Sequence, residues 1–296
     1  MKAQIRGTEI YFDIAGMQLA PYKQDFIEKP VLFLLHGGPG GDHLRFKQHS
    51  LELEETAQLI FIDNRGCGHS KKTKQKDYTL ENNIEDIEAL RTHLGLDRIS
   101  ILGTSYGGIV AQGYAIRYPK KLNKLILVST APSYRFIEEA KRILHERGNT
   151  KQIAACEHLW NGTFKNHQHV AKFFKLMESL YLTTTKKNQK HAVTKSKTFW
   201  SHKALNQGFS GCLRQFDYIS KLKKISCPTL ILAGQEDWIA NPTQARTIAQ
   251  QIPHSQLKIF KKSGHIVAVD AHEQYIKVSK NFLKHNLFKG NLKPAG

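Results

Sequence analysis

Acidic residues are scarce in this chain: 25 Asp and Glu stand against 44 Lys and Arg over 296 residues, a formal charge of +19. Long apolar runs are missing altogether. No segment nears the roughly 18 consecutive apolar residues of a membrane helix, and MKAQIRGTEIYFDIAG at the N-terminus lacks the apolar stretch of a signal peptide. A soluble, cytoplasmic protein is therefore expected. Cysteine is sparse too: Cys67, Cys156, Cys212 and Cys227 show no CxxC spacing, which points away from a zinc site or a disulfide framework and toward reduced thiols. His145-Glu146 and His272-Glu273 lack the second histidine that a zinc-protease helix carries. No metal and no cofactor are implied. The basic excess gathers in KKTKQK at 71–76 and KKNQKHAVTKSK at 186–197, without the interleaved aromatics of nucleic-acid modules, so it reads as solvated surface rather than a nucleic-acid or membrane footprint.

What is present is a 40% hydrophobic content arranged in short blocks. Gln4-Ile5-Arg6 and Ile10-Tyr11-Phe12, separated by Gly7, read as a hairpin at a sheet edge. Val31-Leu32-Phe33-Leu34-Leu35 and Leu59-Ile60-Phe61-Ile62 are unbroken apolar runs too short for helices, the mark of strands buried on both faces. Leu80, Ile84, Ile87, Leu90 and Leu94 recur at helical spacing before Gly95, giving an amphipathic helix over about 79–95. A strand at 99–102, a helix from about Tyr106 to Tyr118 and a strand at 125–128 follow. This alternation implies a mostly parallel sheet flanked by helices.

From about 132 to 216 the alternation stops. The sequence becomes helical and basic, with Phe136, Ile143, Leu144, Leu159, Trp160, Phe173, Phe174, Leu176 and Leu180 as inward positions, and reads as an inserted helical cap. The strand–helix pattern resumes at 229–232, with a helix over 242–251, a strand at 257–260 and a closing helix over about 270–285. Residues 1–131 and 217–296 then form one core and 132–216 its insertion.

Gly103-Thr104-Ser105-Tyr106-Gly107 falls between a strand and a helix, the context of a nucleophile elbow, in which small neighbours let a strained turn project the serine. A serine hydroxyl needs a base to take its proton and a carboxylate to orient that base. His265, in Ser263-Gly264-His265, follows the strand ending at Phe260; Asp237 follows the strand ending at Ala233-Gly234. Both lie where parallel sheets place their sites, at C-terminal strand ends. Glu236, Asp217 and Asp270 are rivals for the acid, but Asp270 sits where it caps a helix and Asp217 precedes the last strands. His36-Gly37-Gly38-Pro39-Gly40 is placed to supply an oxyanion donor from Gly38 or Gly37, with the second from the Tyr106 N–H. His36 reads as an organiser of that loop.

HGGPGG at 36–41, DNRGCGHS at 63–70, GTSYGG at 103–108, GQEDWIANP at 234–242 and SGH at 263–265 together resemble the proline iminopeptidase family, a subgroup of the α/β-hydrolases. The resemblance covers roughly 1–131 and 217–285 and implies the α/β-hydrolase fold, with Ser105, Asp237 and His265 as the triad. Family members that remove an N-terminal residue hold its ammonium with glutamates, one directly after the catalytic aspartate and one near the cap exit. Here Trp238 follows Asp237, and residues 206–212 contain no acid; Glu138, Glu139, Glu157 and Glu178 elsewhere in the cap are available to substitute. An unpaired, desolvated ammonium costs several kcal/mol. Trp238, Trp160 and Phe209 suit an apolar acyl group, so the expected substrate is a small molecule or short peptide carrying an ester or small amide bond. Two alternatives stand beside this: a carboxylesterase on small apolar acyl esters, and a catalytically silent member of the fold that binds a ligand or partner.

Overall fold

The computed structural model describes residues 1–23, 25–183 and 198–284. The basic run at 186–197 and the tail after Asn286 fall outside them. Ten strands are present: β1 (Lys2–Ile5), β2 (Thr8–Ala15), β3 (Leu19–Tyr22), β4 (Asp25–Glu28), β5 (Val31–Leu35), β6 (Gln58–Ile62), β7 (Ile99–Thr104), β8 (Leu122–Val128), β9 (Thr229–Gly234) and β10 (Ser255–Phe260). Eight form one sheet in the order β1-β2-β6-β5-β7-β8-β9-β10. The β1/β2 and β2/β6 pairs are antiparallel and every other pair is parallel.

The continuous apolar runs are buried on both faces. Phe33 and Leu35 enter one core while Leu32 and Leu34 enter the other, and Ile60 and Ile62 alternate with Leu59 and Phe61 in the same way. Helices α2 (Leu80–His93), α3 (Tyr106–Arg117) and α9 (Pro242–Gln251) supply Ile87, Val110 and Ile248 to the first core. Helix α11 (His272–Lys284) closes the second with Tyr275, Ile276 and Phe282. The expected closing helix is present as α11, two residues later than its expected start, and a separate turn, α10 (Val267–Asp270), precedes it. The hairpin β3/β4 and the helix α1 (His43–Ser50) have no counterpart in the sequence reading.

Between β8 and β9 lie α4 (Phe136–Arg147), α5 (Thr150–Asn161), α6 (His167–Leu176), α7 (Glu178–Tyr181) and α8 (His202–Ser210). Phe136, Ile143, Leu144, Leu159, Trp160 and Phe173 are buried, whereas Phe174 and Leu180 are only partly so. Leu176, expected inward, is 38% exposed at the C-terminal end of α6. Helix α8 docks on the loop after β5. The Ser201 N–H donates to the Gly40 carbonyl at 2.8 Å, and a Cβ at Gly40, whose φ is +92°, would lie 2.5 Å from the Ser201 carbonyl.

Chain order fixes where a site forms. β5 is flanked by β6 on one side and β7 on the other, so the loops leaving β5 and β7 diverge and open a crevice at their C-terminal ends.

Candidate active site

The C-terminal ends of four parallel strands, with β8 lying between β7 and β9, contribute to one constellation. The loop after β5 carries Gly37 and Gly38, β7 runs into Ser105, β9 into Asp237 and β10 into His265. Ser105 has φ 53° and ψ −120°, a conformation side chains rarely adopt. The turn is over-determined: the Ser105 N–H donates to the Val128 carbonyl at 2.9 Å, and the Thr130 hydroxyl donates to the Ser105 carbonyl at 2.8 Å. Gly107 is obligatory for packing, because a Cβ there would sit 2.2 Å from the Leu35 carbonyl oxygen. Strain of this kind, of order 1–3 kcal/mol, persists only where the surroundings enforce it.

His265 is buried and bridges the other two groups, with Nδ1 2.8 Å from Asp237 Oδ2 and Nε2 3.0 Å from Ser105 Oγ. The other Asp237 oxygen, Oδ1, accepts the N–H groups of Ile239 and Ala240, both at 2.9 Å. Asp237 therefore has one oxygen fixed by two backbone donors and presents the other to Nδ1. The neutral ring then carries its proton on Nδ1 and offers the Nε2 lone pair to the serine hydroxyl.

Asp270, expected as a helix cap, has another job. It ends α10 and accepts the Gly264 N–H at 2.7 Å and the Thr183 N–H at 3.1 Å, which ties the His265 loop down. Glu236 points to Arg147 at the surface, and Asp217 bridges to Ser133 and pairs with exposed Arg135, so neither reaches His265.

Gly37 packs against Ser105: a Cβ on it would come within 3.1 Å of the serine Cβ. Gly38 and Tyr106 border the small pocket that Ser105 and His265 share. The Tyr106 N–H is the first of α3, so no carbonyl of its own helix accepts it. Its side chain is buried elsewhere, with the hydroxyl accepting from Asn83 Nδ2 at 2.8 Å, and burial pushes that hydroxyl well above its ordinary pKa. His36 is a loop organiser in geometry as well. Nε2 accepts the Asn64 N–H at 3.1 Å while Nδ1 donates to the Gly37 carbonyl at 2.8 Å, and burial lowers its pKa, so the ring is neutral at pH 7 and charges only in acid.

DNRGCGHS is a structural knot beside that loop. Asp63 accepts from the His43 N–H, His43 Nδ1 and the His69 N–H within 2.9 Å, and Arg65 clasps Asp86 through Nε and Nη2.

A cavity of about 410 Å³ opens onto Ser105 and His265. This is within the size range of small-molecule sites. Its walls come from the β5 loop, from α1 through Arg45 and Phe46, and from the insertion through Leu159, Phe174, Glu178 and Phe209. Trp238 and Trp160, expected beside the substrate, do not line it. Trp238 is fully buried and Trp160 nearly so, and the two rings pack edge-on at 6.2 Å as part of the core that supports Tyr181 behind His265. Of the three aromatic residues assigned to substrate, the cavity brings only Phe209 to the site. Of the four glutamates considered as substitutes, Glu178 reaches the cavity, while Glu138, Glu139 and Glu157 are exposed on the helices outside it. The α1 contribution was not legible from the apolar pattern; the available signal was Asp42, which caps α1 by accepting the Leu44 N–H. Among the described residues, no group of three or more His, Cys, Asp or Glu side chains could hold a metal ion. No helix there is long and apolar enough to cross a membrane.

Residues 30–271 match the family model described as alpha/beta hydrolase fold. The chain belongs to that family. It is similar to the proline iminopeptidase of Clostridioides difficile strain 630, 30% identical over 290 residues that cover 95% of this chain and 96% of the relative. Among solved structures, the proline iminopeptidase of Mycobacterium smegmatis superposes with a TM-score of 0.75 at 20% identity, covering 98% of this chain and 99% of its own. An esterase from Exiguobacterium antarcticum does so at 0.70 and 23% identity, covering 95% and 97%. This hydrolase is thus proline iminopeptidase-like in sequence, and its fold is shared with esterases.

Proposed function

We propose that the protein hydrolyses ester or amide bonds of small substrates through an acyl-enzyme on Ser105. The observation that carries this is the continuous relay from Asp237 through His265 to Ser105 at the wall of a substrate-sized cavity. Ser105 Oγ attacks the substrate carbonyl as His265 Nε2 takes its proton; the imidazolium is stabilised by Asp237 and returns that proton to the leaving group. Water then repeats the sequence on the acyl-enzyme and frees the acid. The N–H groups of Tyr106 and of Gly38 or Gly37 are the donors for the oxyanion. Their placement at a helix start and in a glycine loop supports the reading.

A fluorophosphonate should label the folded protein on Ser105 and fail to label Ser105→Ala. Absence of labelling on folded wild type would refute acyl transfer. Within the class, ester or small-amide cleavage is favoured over aminopeptidase action because Trp238 replaces an acid beside Asp237 and is buried. One observation supports the second reading: Glu178 lies on the cavity wall, where a carboxylate has the charge to receive a substrate ammonium. A prolyl arylamide compared with its N-blocked analogue separates the two, since only the aminopeptidase requires the free amine.

A further inference from the structure

Helix α1 carries a cation into the cavity that the acyl-transfer chemistry does not use. Arg45 lines the same cavity as Ser105 and His265 and is half-buried there. Among the described residues its guanidinium makes no hydrogen bond and no ion pair; Asp42 and Glu178 act on it only through space. Asp42 is engaged elsewhere: one carboxylate oxygen accepts the Leu44 N–H at 3.1 Å and the other the Phe199 N–H at 2.7 Å. Burial lowers the Arg45 pKa, but a guanidinium stays charged in proteins. Five N–H donors are therefore brought into a substrate cavity partly stripped of water and left without a protein acceptor.

A buried cation without a partner is costly, and the planar fork of arginine matches a carboxylate through two parallel hydrogen bonds. We propose that Arg45 anchors a carboxylate at the non-reacting end of the substrate, so that the favoured substrates are small esters or amides bearing a free carboxylate. A monoanion fits better than a phosphate dianion, because Asp42 and Glu178 face the same guanidinium and repel a second negative charge. This inference rests on the acyl-transfer reading, since it places the carbonyl of the same molecule at Ser105.

The test compares kcat/KM within two pairs of esters. Para-nitrophenyl hydrogen glutarate against para-nitrophenyl pentanoate puts the carboxylate on the acyl side. The pentanoate esters of para-hydroxybenzoate and para-hydroxybenzamide put it on the leaving-group side. Wild type should prefer the carboxylate member of one pair by about 10- to 100-fold, the range for a hydrogen-bonded charge. Arg45→Met should collapse that ratio toward one, and Arg45→Lys should retain part of it. If Arg45→Met does not fold, competitive inhibition of pentanoate hydrolysis by glutarate or para-hydroxybenzoate, strong in wild type and weakened in Arg45→Lys, takes its place. A wild type without preference in either pair, or a preference that survives Arg45→Met, overturns the proposal. Where fluorophosphonate labels Ser105 and neutral esters turn over, that failure leaves acyl transfer standing; folded protein that is neither labelled nor active overturns both.

Discussion

Replacing Asp237 by Asn changes the proton inventory of the site with almost no change in shape. Asp237 Oδ1 accepts two backbone N–H groups, from Ile239 and Ala240, while Oδ2 faces His265 Nδ1 at 2.8 Å. An asparagine can satisfy the two backbone donors only by placing its carbonyl oxygen on them, which turns its NH2 toward His265. Nδ1 must then accept, so the neutral ring carries its proton on Nε2, and that N–H points at Ser105 Oγ 3.0 Å away. The base has become a donor. The opposite amide orientation leaves two buried N–H groups facing an NH2, at about 1–3 kcal/mol each. It is therefore populated at roughly 3% or less, at 1.4 kcal/mol per tenfold.

The Asp237→Asn variant should lose at least about 30-fold in kcat on that basis. Where the same tautomer switch has been engineered in a Ser-His-Asp enzyme, the loss is about 10⁴-fold, or about 5.5 kcal/mol of barrier. KM should change little, because Asp237 is buried and does not line the cavity. Two measurements check this: kcat on a para-nitrophenyl ester, and the second-order rate of fluorophosphonate labelling, which reads Ser105 nucleophilicity without reference to substrate fit. A folded variant that loses less than tenfold in both would refute the assigned hydrogen-bond directions.

Trp238→Ala should destabilise the protein by about 3–5 kcal/mol in urea titration, the cost of an emptied aromatic core site. Trp238→Phe should cost clearly less, because it also removes an indole Nε1–H that is buried with no hydrogen-bond partner among the described residues; altered acyl-chain preference with unaltered stability would instead make Trp238 a substrate contact. Burial pushes the Asp63 carboxyl up, but hydrogen bonding and charge from His43, His36 and the His69 N–H outweigh it and leave the folded pKa below the ordinary value. A depressed carboxyl contributes stability above its unfolded pKa of about 3.9 that is lost as pH falls through the folded value. Unfolding free energy measured from pH 6 down to pH 2 should therefore fall more in wild type than in Asp63→Asn, and parallel curves would show that Asp63 carries none of the acid sensitivity.

The core was legible because parallel strands buried on both faces must be apolar at nearly every position, and 31–35, 59–62 and 230–232 spell that out. The elements that went unseen have no such pattern to write. In the β3/β4 hairpin Leu19 and Phe26 share one face and are 58% and 60% exposed, so large apolar residues stand on the open face and blur the apolar–polar alternation. Helix α1 buries His43, His49 and Ser50 rather than an apolar stripe, and its sequence HLRFKQHS shows little helical period. The same limit explains the aromatic residues of the site. Sequence marks Trp160, Trp238 and Phe209 alike as apolar, but only the packing decides that two of them fill the core and one faces the cavity.

The insertion and the chemical centre are also joined more tightly than their separation in sequence suggests. The Tyr181 carbonyl accepts the Ile266 N–H at 3.3 Å, and its ring meets His265 edge-on at 5.4 Å. The Thr183 hydroxyl donates to the Lys262 carbonyl at 2.6 Å, and its N–H reaches Asp270, the residue that also holds Gly264. A rigid swing of the whole insertion would break all of these at once and loosen His265 from Ser105, a displacement that near-attack geometry does not tolerate. Any opening that preserves the relay must therefore leave α7 and Thr183 in place, confining motion to segments that do not touch the β10 loop. Arg45 lies outside this constraint, since α1 belongs to the core side of the cavity. Substrate selection by α1 and base positioning by α7 thus act through different elements on one cavity, and changes in one can leave the other's geometry intact.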